Sequence, residues 1–241
     1  MNIKKHIPNI ITLLNLFCGC IALVFVSEDQ FFLAFCLVCL GIFLDFFDGF
    51  FARLFHVSSP LGLQLDSLAD MVTSGVVPGY VMYKLLSMES AFGSQSYIPF
   101  VGFVITLGAC YRLANFNIDT RQTDSFIGLP TPANELFFLS IPLFSEQLLL
   151  NDAAPEFIFN KWFYVILCFV SAYIMNAEIP LFSLKIKNFN VRTHSLQIIF
   201  LVSSVLFLVI FKYLGIPIVI IFYILLSIIQ NKMSKNSKHG G

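Results

Sequence analysis

The stretch Asp45-Phe46-Phe47-Asp48-Gly49-Phe50-Phe51-Ala52-Arg53, followed after eight residues by Gly62, after three more by Asp66 and after another three by Asp70, decides how this chain is read. Asp45 and Asp48 are three apart and Asp66 and Asp70 four apart, so each pair shares one face of a helix. The link between the two helices is short, and Ser58-Ser59-Pro60 reads as a helix start, with a serine cap and proline in the first turn. A tight helical hairpin would bring the four carboxylates together, and such a cluster must be neutralised because like charges in a poorly solvated place repel. An all-oxygen donor set of this kind suits hard divalent cations, with room for two. Gly49 and Ala52 leave space for a ligand beside the backbone, and Arg53 offers a forked donor suited to phosphate oxygens.

The rest of the chain shows why these acids stand out. Of 241 residues, 58% are hydrophobic and 12% charged, with 29 Phe, whereas soluble domains average roughly 25% charged. Such a chain belongs in a bilayer, as a single domain over 1–241. The expected fold is all-α: a polytopic membrane helix bundle. Apolar segments of spanning length fall near Ile7–Val26, Phe31–Phe51, Leu61–Leu86, Tyr97–Phe116, Thr131–Leu150, Phe157–Met175, Ser195–Phe211 and Leu214–Ile229, about eight spans, the last two short and tightly joined. The first is expected to be a retained span, since it lacks an Ala-x-Ala type cleavage site. With both termini in the cytoplasm, 11 basic residues (Lys4, Lys5, Arg53, Arg112, Arg121, Lys185, Lys187, Arg192, Lys232, Lys235 and Lys238) lie at cytoplasmic ends and 3 (Lys84, Lys161 and Lys212) at the other, as the positive-inside rule asks. The polar tail 232–241 is expected to fray. All six cysteines lie in apolar runs, and the Cys36/Cys39 spacing lacks a second pair or a histidine cluster to complete a zinc site.

The pattern from Asp45 to Asp70 resembles the signature of the CDP-alcohol phosphotransferase family, with every fixed position filled and the gaps correct. The resemblance implies that Asp45, Asp48 and Asp66 ligate Mg2+ or Mn2+, in all two ions. It implies that Asp70 lies beside the second ion and takes the proton of the acceptor hydroxyl. It also implies that Gly49, Ala52, Arg53 and Gly62 line the site for CDP and its diphosphate, and that the enzyme is a homodimer.

Three further stretches bear on the acceptor. Asn9, Thr12, Asn15 and Gly19 recur at helical spacing and give the first span a polar, small-residue stripe, expected to face the bundle interior; Asn9 and Thr12 are candidate nucleotide contacts. Tyr111-Arg112-Leu-Ala-Asn115-Phe-Asn117 puts Arg112 and Asn115 on one helix face, and Phe126-Ile-Gly128-Leu-Pro130-Thr-Pro132-Ala-Asn134-Glu135 fixes a loop. Together they resemble the membrane-integral phosphatidylserine synthases, with departures at Asn115, where a second Arg is expected, and at Asn134, where Ala is expected. That likeness implies CDP-diacylglycerol and L-serine as substrates, membrane lipid as a partner, no nucleic acid, and a bacterial cytoplasmic (inner) membrane with the site facing the cytoplasm. Arg112 and Asn115 are candidates for binding the serine carboxylate or a lipid phosphate. Other acceptors, namely glycerol 3-phosphate, inositol phosphate or choline, stay open. So does a cation- or proton-coupled transporter, because buried Asp residues also mark ion pathways.

Overall fold

A computed structural model describes residues 6–57, 59–89, 97–119, 127–151, 155, 160–182 and 195–239. Among the sequence-based assignments, Lys4, Lys5, Ser58, Arg121, Phe126, Phe157, Lys185, Lys187 and Arg192 lie outside these residues. The described residues are helical, without a strand, apart from one antiparallel bridge between Ile127 and Pro180.

Helices α1 (Ile7–Ser27) and α2 (Phe31–Leu54) form a tight hairpin turned at Asp29, which takes the left-handed conformation that Asp tolerates better than most residues. A second helical unit runs from Pro60 to Glu89: α3 (Pro60–Asp70), a π-helical segment (Met71–Val76) and α4 (Val77–Glu89). The sequence predicts one plain span here. The wider turn has a physical cause in Pro78, which has no N–H for the carbonyl one turn earlier. Thr106 Oγ1 donates to the Gly75 carbonyl at 2.9 Å, satisfying one group inside the widened turn. A 3-10 turn (Ile98–Phe103) leads into α5 (Val104–Ile118), followed by α6 (Thr131–Leu150), α7 (Lys161–Asn176), α8 (Ser195–Phe211), a 3-10 turn (Lys212–Leu214) and α9 (Gly215–His239).

Four helical runs among the described residues are long and apolar enough to cross a membrane: Ile7–Ser27, Phe31–Leu54, Ile98–Ile118 and Leu196–Lys232; Lys161–Asn176 is apolar but shorter. The run Leu196–Lys232 reverses direction. Lys212 has φ 52°, and a Cβ on Gly215 would stand 2.6 Å from Phe207 O, so α9 doubles back along α8. Helix α9 runs on to His239, with no glycine or proline before Gly240 to interrupt it.

Packing follows the rules of a lipid solvent. Ala22, Val26, Ala34 and Val38 are fully buried where α1 meets α2, while Phe46 is 63% and Val209 74% exposed. Small residues let helices approach and large apolar ones face outward, the arrangement of a membrane bundle. The bundle has two distinct ends. At one, Lys84 pairs with Asp29 at 2.8 Å and donates to Ser27 O, and Phe35 meets Tyr213 ring to ring at 6.3 Å, so Lys84 and the Lys212 turn share that end. At the other, α2 ends and α3 begins.

Candidate active site

The acidic hairpin forms as its residues dictate. Helix α2 stops just beyond Arg53 in a Schellman turn: His56 takes φ 54°, His56 N–H donates to Arg53 O and Val57 N–H to Ala52 O at 3.0 Å. Helix α3 starts at Ser59, whose Oγ accepts from Gly62 N–H at 3.0 Å, with Pro60 in the first turn. This short return sets the last turns of α2 against the first turns of α3.

The result is a cluster in which Asp45, Asp48 and Asp66 each present a carboxylate oxygen within 4.8 Å of the other two. Asp66 Oδ1 is buried without a hydrogen-bond partner, and no Lys, Arg or His among the described residues forms an ion pair with any of the three. Converging carboxylate oxygens, one buried and unsatisfied, fit a hard divalent cation.

Asp70 stands apart from that trio. It interacts electrostatically with Asp45, Asp48 and Asp66, and its Oδ1 accepts from Asn15 Nδ2 at 3.3 Å. The polar stripe of α1 does face inward, and it positions the acids. Thr12 Oγ1 lies 2.5 Å from Asp48 Oδ2 and 3.0 Å from Pro8 O, so its single proton serves one of them at a time. Asn15 is nearly fully buried, and a Cβ on Gly41 would stand 2.7 Å from its Oδ1. Gly19 likewise admits the π-helical segment: a Cβ there would stand 2.5 Å from Thr73 Cγ2. Glycines on α1 and α2 therefore allow the close approach that brings Asn15 to Asp70.

A cleft opens beside the trio, lined by Asn9, Thr12, Asp48, Gly49, Ala52, Val57, Ser59, Gly62 and Asp66, among others. Asn9, Thr12, Gly49, Ala52 and Gly62, the candidate nucleotide contacts, are among these lining residues. Arg53 is not among the lining residues. Arg112 and Asn115 line a different cleft, with Asp119, Ile127, Met175, Asn176 and Glu178, and the two clefts share no residue. Arg112 is buried, and its Nε donates to Leu129 O at 2.5 Å. Helix α5 divides the two clefts: Asn117, nearly opposite Arg112 on the helix, donates to Ser67 Oγ at 2.8 Å and so faces α3.

A profile of the CDP-alcohol phosphatidyltransferase family matches residues 5–173, more than half of the chain. The chain belongs to this family. Among its curated relatives is the CDP-diacylglycerol–serine O-phosphatidyltransferase of Helicobacter pylori (strain ATCC 700392 / 26695), 33% identical over 192 residues, covering 68% of this chain and 79% of the relative. The protein of the same name from Bacillus subtilis is 36% identical over 132 residues, covering 53% of this chain and 70% of the relative. That from Methanocaldococcus jannaschii is 34% identical over 146 residues, covering 61% and 65%. Members of the CDP-alcohol phosphatidyltransferase family generally depend on a divalent metal, in keeping with the acidic trio.

Some site neighbours of this family member escaped sequence reasoning. Glu135 on α6 is fully buried, accepts from Ser74 Oγ in the π-helical segment at 2.7 Å, and has electrostatic contact with Asp70. A charged residue inside an apolar helix was the available signal for it, and Pro78 was the signal for the π-helical segment. Asn134, one of the departures, earns its place by accepting from Ser171 Oγ at 2.6 Å, a hydrogen bond that ties α6 to α7.

Proposed function

We propose that the chain is a CDP-diacylglycerol–serine O-phosphatidyltransferase, a metal-dependent enzyme that joins L-serine to the phosphatidyl group and releases CMP. The observation that carries this reading is the acidic trio on α2 and α3, set in a chain whose relatives in bacteria and an archaeon bear that name. The second cleft supports serine as the acceptor. It is lined by a guanidinium (Arg112), two carboxylates (Asp119 and Glu178) and two amides (Asn115 and Asn176), a mixed-charge set rather than the basic one a phosphorylated polyol calls for.

Asp45, Asp48 and Asp66 would hold the divalent cation, Mg2+ or Mn2+, and Asp70 would lie beside a second. Bound there, the ions supply Lewis-acid neutralisation of the diphosphate charge. Asn9, Thr12, Gly49, Ala52 and Gly62 form the bed of the nucleotide and its diphosphate. Arg53, one turn beyond Gly49, lies outside the cleft lining and would have to turn inward to meet the leaving phosphate. Asn15 holds Asp70 Oδ1, which leaves Asp70 Oδ2 to take the proton of the serine hydroxyl. The serine oxygen forms a bond to the phosphatidyl phosphorus, the bond from phosphorus to the CMP oxygen breaks, and CMP leaves with that electron pair. Arg112 and Asn115, across α5 from the trio, are the candidates for holding the carboxylate of serine before its hydroxyl reaches Asp70, or a lipid phosphate.

In this reading the domain is one unit over 1–241, crossing a bacterial cytoplasmic membrane eight times with both termini and the acidic end in the cytoplasm, and working as a homodimer. The charge asymmetry and the placing of Lys84 and the Lys212 turn at the far end support that orientation. Purified protein incubated with CDP-diacylglycerol, Mn2+ and each of serine, glycerol 3-phosphate, inositol phosphate and choline tests it. CMP release with serine is expected, and release with a phosphorylated polyol alone would overturn the assignment.

A further inference from the structure

The sequence offers no motif in its last hundred residues, yet α9 reaches the Arg112 cleft through an unbroken chain of hydrogen bonds. Tyr223, Ser227 and Asn231 are spaced by four and form one stripe along α9. Tyr223 and Ser227 are buried, within helices that otherwise read as lipid-facing apolar rods. Tyr223 OH donates to Phe182 O at 2.8 Å, and Phe182 N–H donates to Ser227 Oγ at 3.4 Å, so both backbone groups of Phe182 are held by α9. Asn231 Nδ2 donates to Pro180 O at 2.5 Å. The Phe182 ring packs against Tyr223 at 4.9 Å and Phe200 at 5.7 Å, which fixes its direction as well.

The segment held in this way holds the next in turn. Ile127 bridges Pro180, Gly128 N–H donates to Ile179 O at 2.9 Å, and Leu129 N–H donates to Ile174 O at 3.2 Å. Gly128 has φ 74°, and a Cβ there would stand 2.2 Å from Met175 O, so the strap needs glycine at this point. Leu129 O then accepts from Arg112 Nε. The guanidinium has further N–H donors on its terminal nitrogens, and this one bond to a fixed carbonyl sets the plane in which they fan out.

We propose that Tyr223, Ser227 and Asn231 are positioning residues for the acceptor cleft: α9 clamps residues 180–182, these clamp residues 127–129, and these orient Arg112. The proposal rests on the reading of Arg112 as a contact for the serine carboxylate. A polar stripe that served only to knit α9 into the bundle would have no reason to take both backbone groups of one residue in an irregular segment. Nor would that segment need its own bridge to the carbonyl beside Arg112.

The test is the double variant Tyr223→Phe/Ser227→Ala, assayed with serine and CDP-diacylglycerol varied separately. Loss of the clamp raises the KM for serine about tenfold, with the KM for CDP-diacylglycerol and kcat within about twofold, the effect of roughly one misaligned hydrogen bond to a charged group. Ser227→Thr, which keeps the acceptor oxygen, retains the wild-type KM. A role confined to stability would instead lower the melting temperature and the active fraction while leaving the KM for serine unchanged, and that result overturns the proposal. Hydrogen–deuterium exchange over residues 127–131 gives a readout independent of substrate. Faster exchange at Gly128 and Leu129 in the double variant is expected whatever the acceptor, and unchanged exchange refutes the clamp. Should wild-type protein consume no serine while the exchange still accelerates, the functional reading fails and the clamp stands.

Discussion

Gly41→Ala tests the packing logic of the site in a single methyl group. The new Cβ would lie 2.7 Å from Asn15 Oδ1, a contact real Cβ atoms do not make, and its next neighbour, Thr73 Cγ2, is at an ordinary 3.6 Å. The clash therefore falls on Asn15 alone, whose side chain is buried and donates to Asp70 Oδ1 at 3.3 Å. Overpacking of this kind costs about 1–3 kcal/mol. Moving Asn15 also forfeits a hydrogen bond to a carboxylate, worth about 1.5–3 kcal/mol. In an Asn15→Ala background both penalties vanish, and alanine in place of a helical glycine contributes about 0.5–1 kcal/mol of stability. The double-mutant cycle should therefore show a coupling of about 2.5–6 kcal/mol, well beyond the 0.3–0.5 kcal/mol scatter of independent sites. Thermal unfolding of the four proteins in one detergent reads it directly. At about 2–4 °C per kcal/mol for a chain of this size, Gly41→Ala lowers the midpoint by several degrees in the wild-type background and not in Asn15→Ala. Turnover follows the same pattern: either single change reduces it about tenfold or more, and the double variant is no worse than Asn15→Ala. Strict additivity in both readouts would refute the claim that Gly41 exists to seat Asn15 against Asp70.

Further outcomes follow from the same geometry. Thr12→Val preserves shape but removes the donor to Asp48 Oδ2, and should raise the metal concentration for half-maximal activity by about 10–100-fold, measured by Mn2+ titration of CMP release. Asp45→Asn and Asp66→Asn should each abolish CMP release without unfolding the protein, as checked by circular dichroism alongside the assay. Gly128→Ala forces a side chain into left-handed backbone and against Met175 O, and should raise the KM for serine while sparing that for CDP-diacylglycerol. Lys84→Met should cost less than about 1 kcal/mol in thermal unfolding, because its partner Asp29 is half exposed.

Much of this architecture was legible in the residues. The Asp45/Asp48 and Asp66/Asp70 spacings place both pairs near one helical turn, and the Ser59-Pro60 start fixes how α3 returns. These are local signals, and local physics decides them. The π-helical segment was hidden because its cause, Pro78, lies inside an apolar run that reads equally well as a plain helix. Asp70 separates from the trio because Asn15, from a helix 55 residues earlier, draws one of its oxygens, and no spacing rule within 45–70 contains that partner. Arg112 illustrates the same limit. Its helix face was correctly drawn, but which cleft that face lines depends on α7 and on the strap at Gly128. Glu135 and the stripe on α9 carry long-range hydrogen bonds, whose partners emerge only when the helices are packed.

Direct titration of Mn2+ into purified protein in detergent, followed by the loss of the free-ion paramagnetic resonance signal, puts the acidic trio itself to the test. Wild-type protein should remove Mn2+ from solution with saturable stoichiometry, Mg2+ should displace it, and Asp66→Asn should weaken binding by at least about a hundredfold. Equal binding by wild type and Asp66→Asn, or none by the wild type with CDP-diacylglycerol present, would contradict the assignment of Asp45, Asp48 and Asp66 as the metal-holding centre.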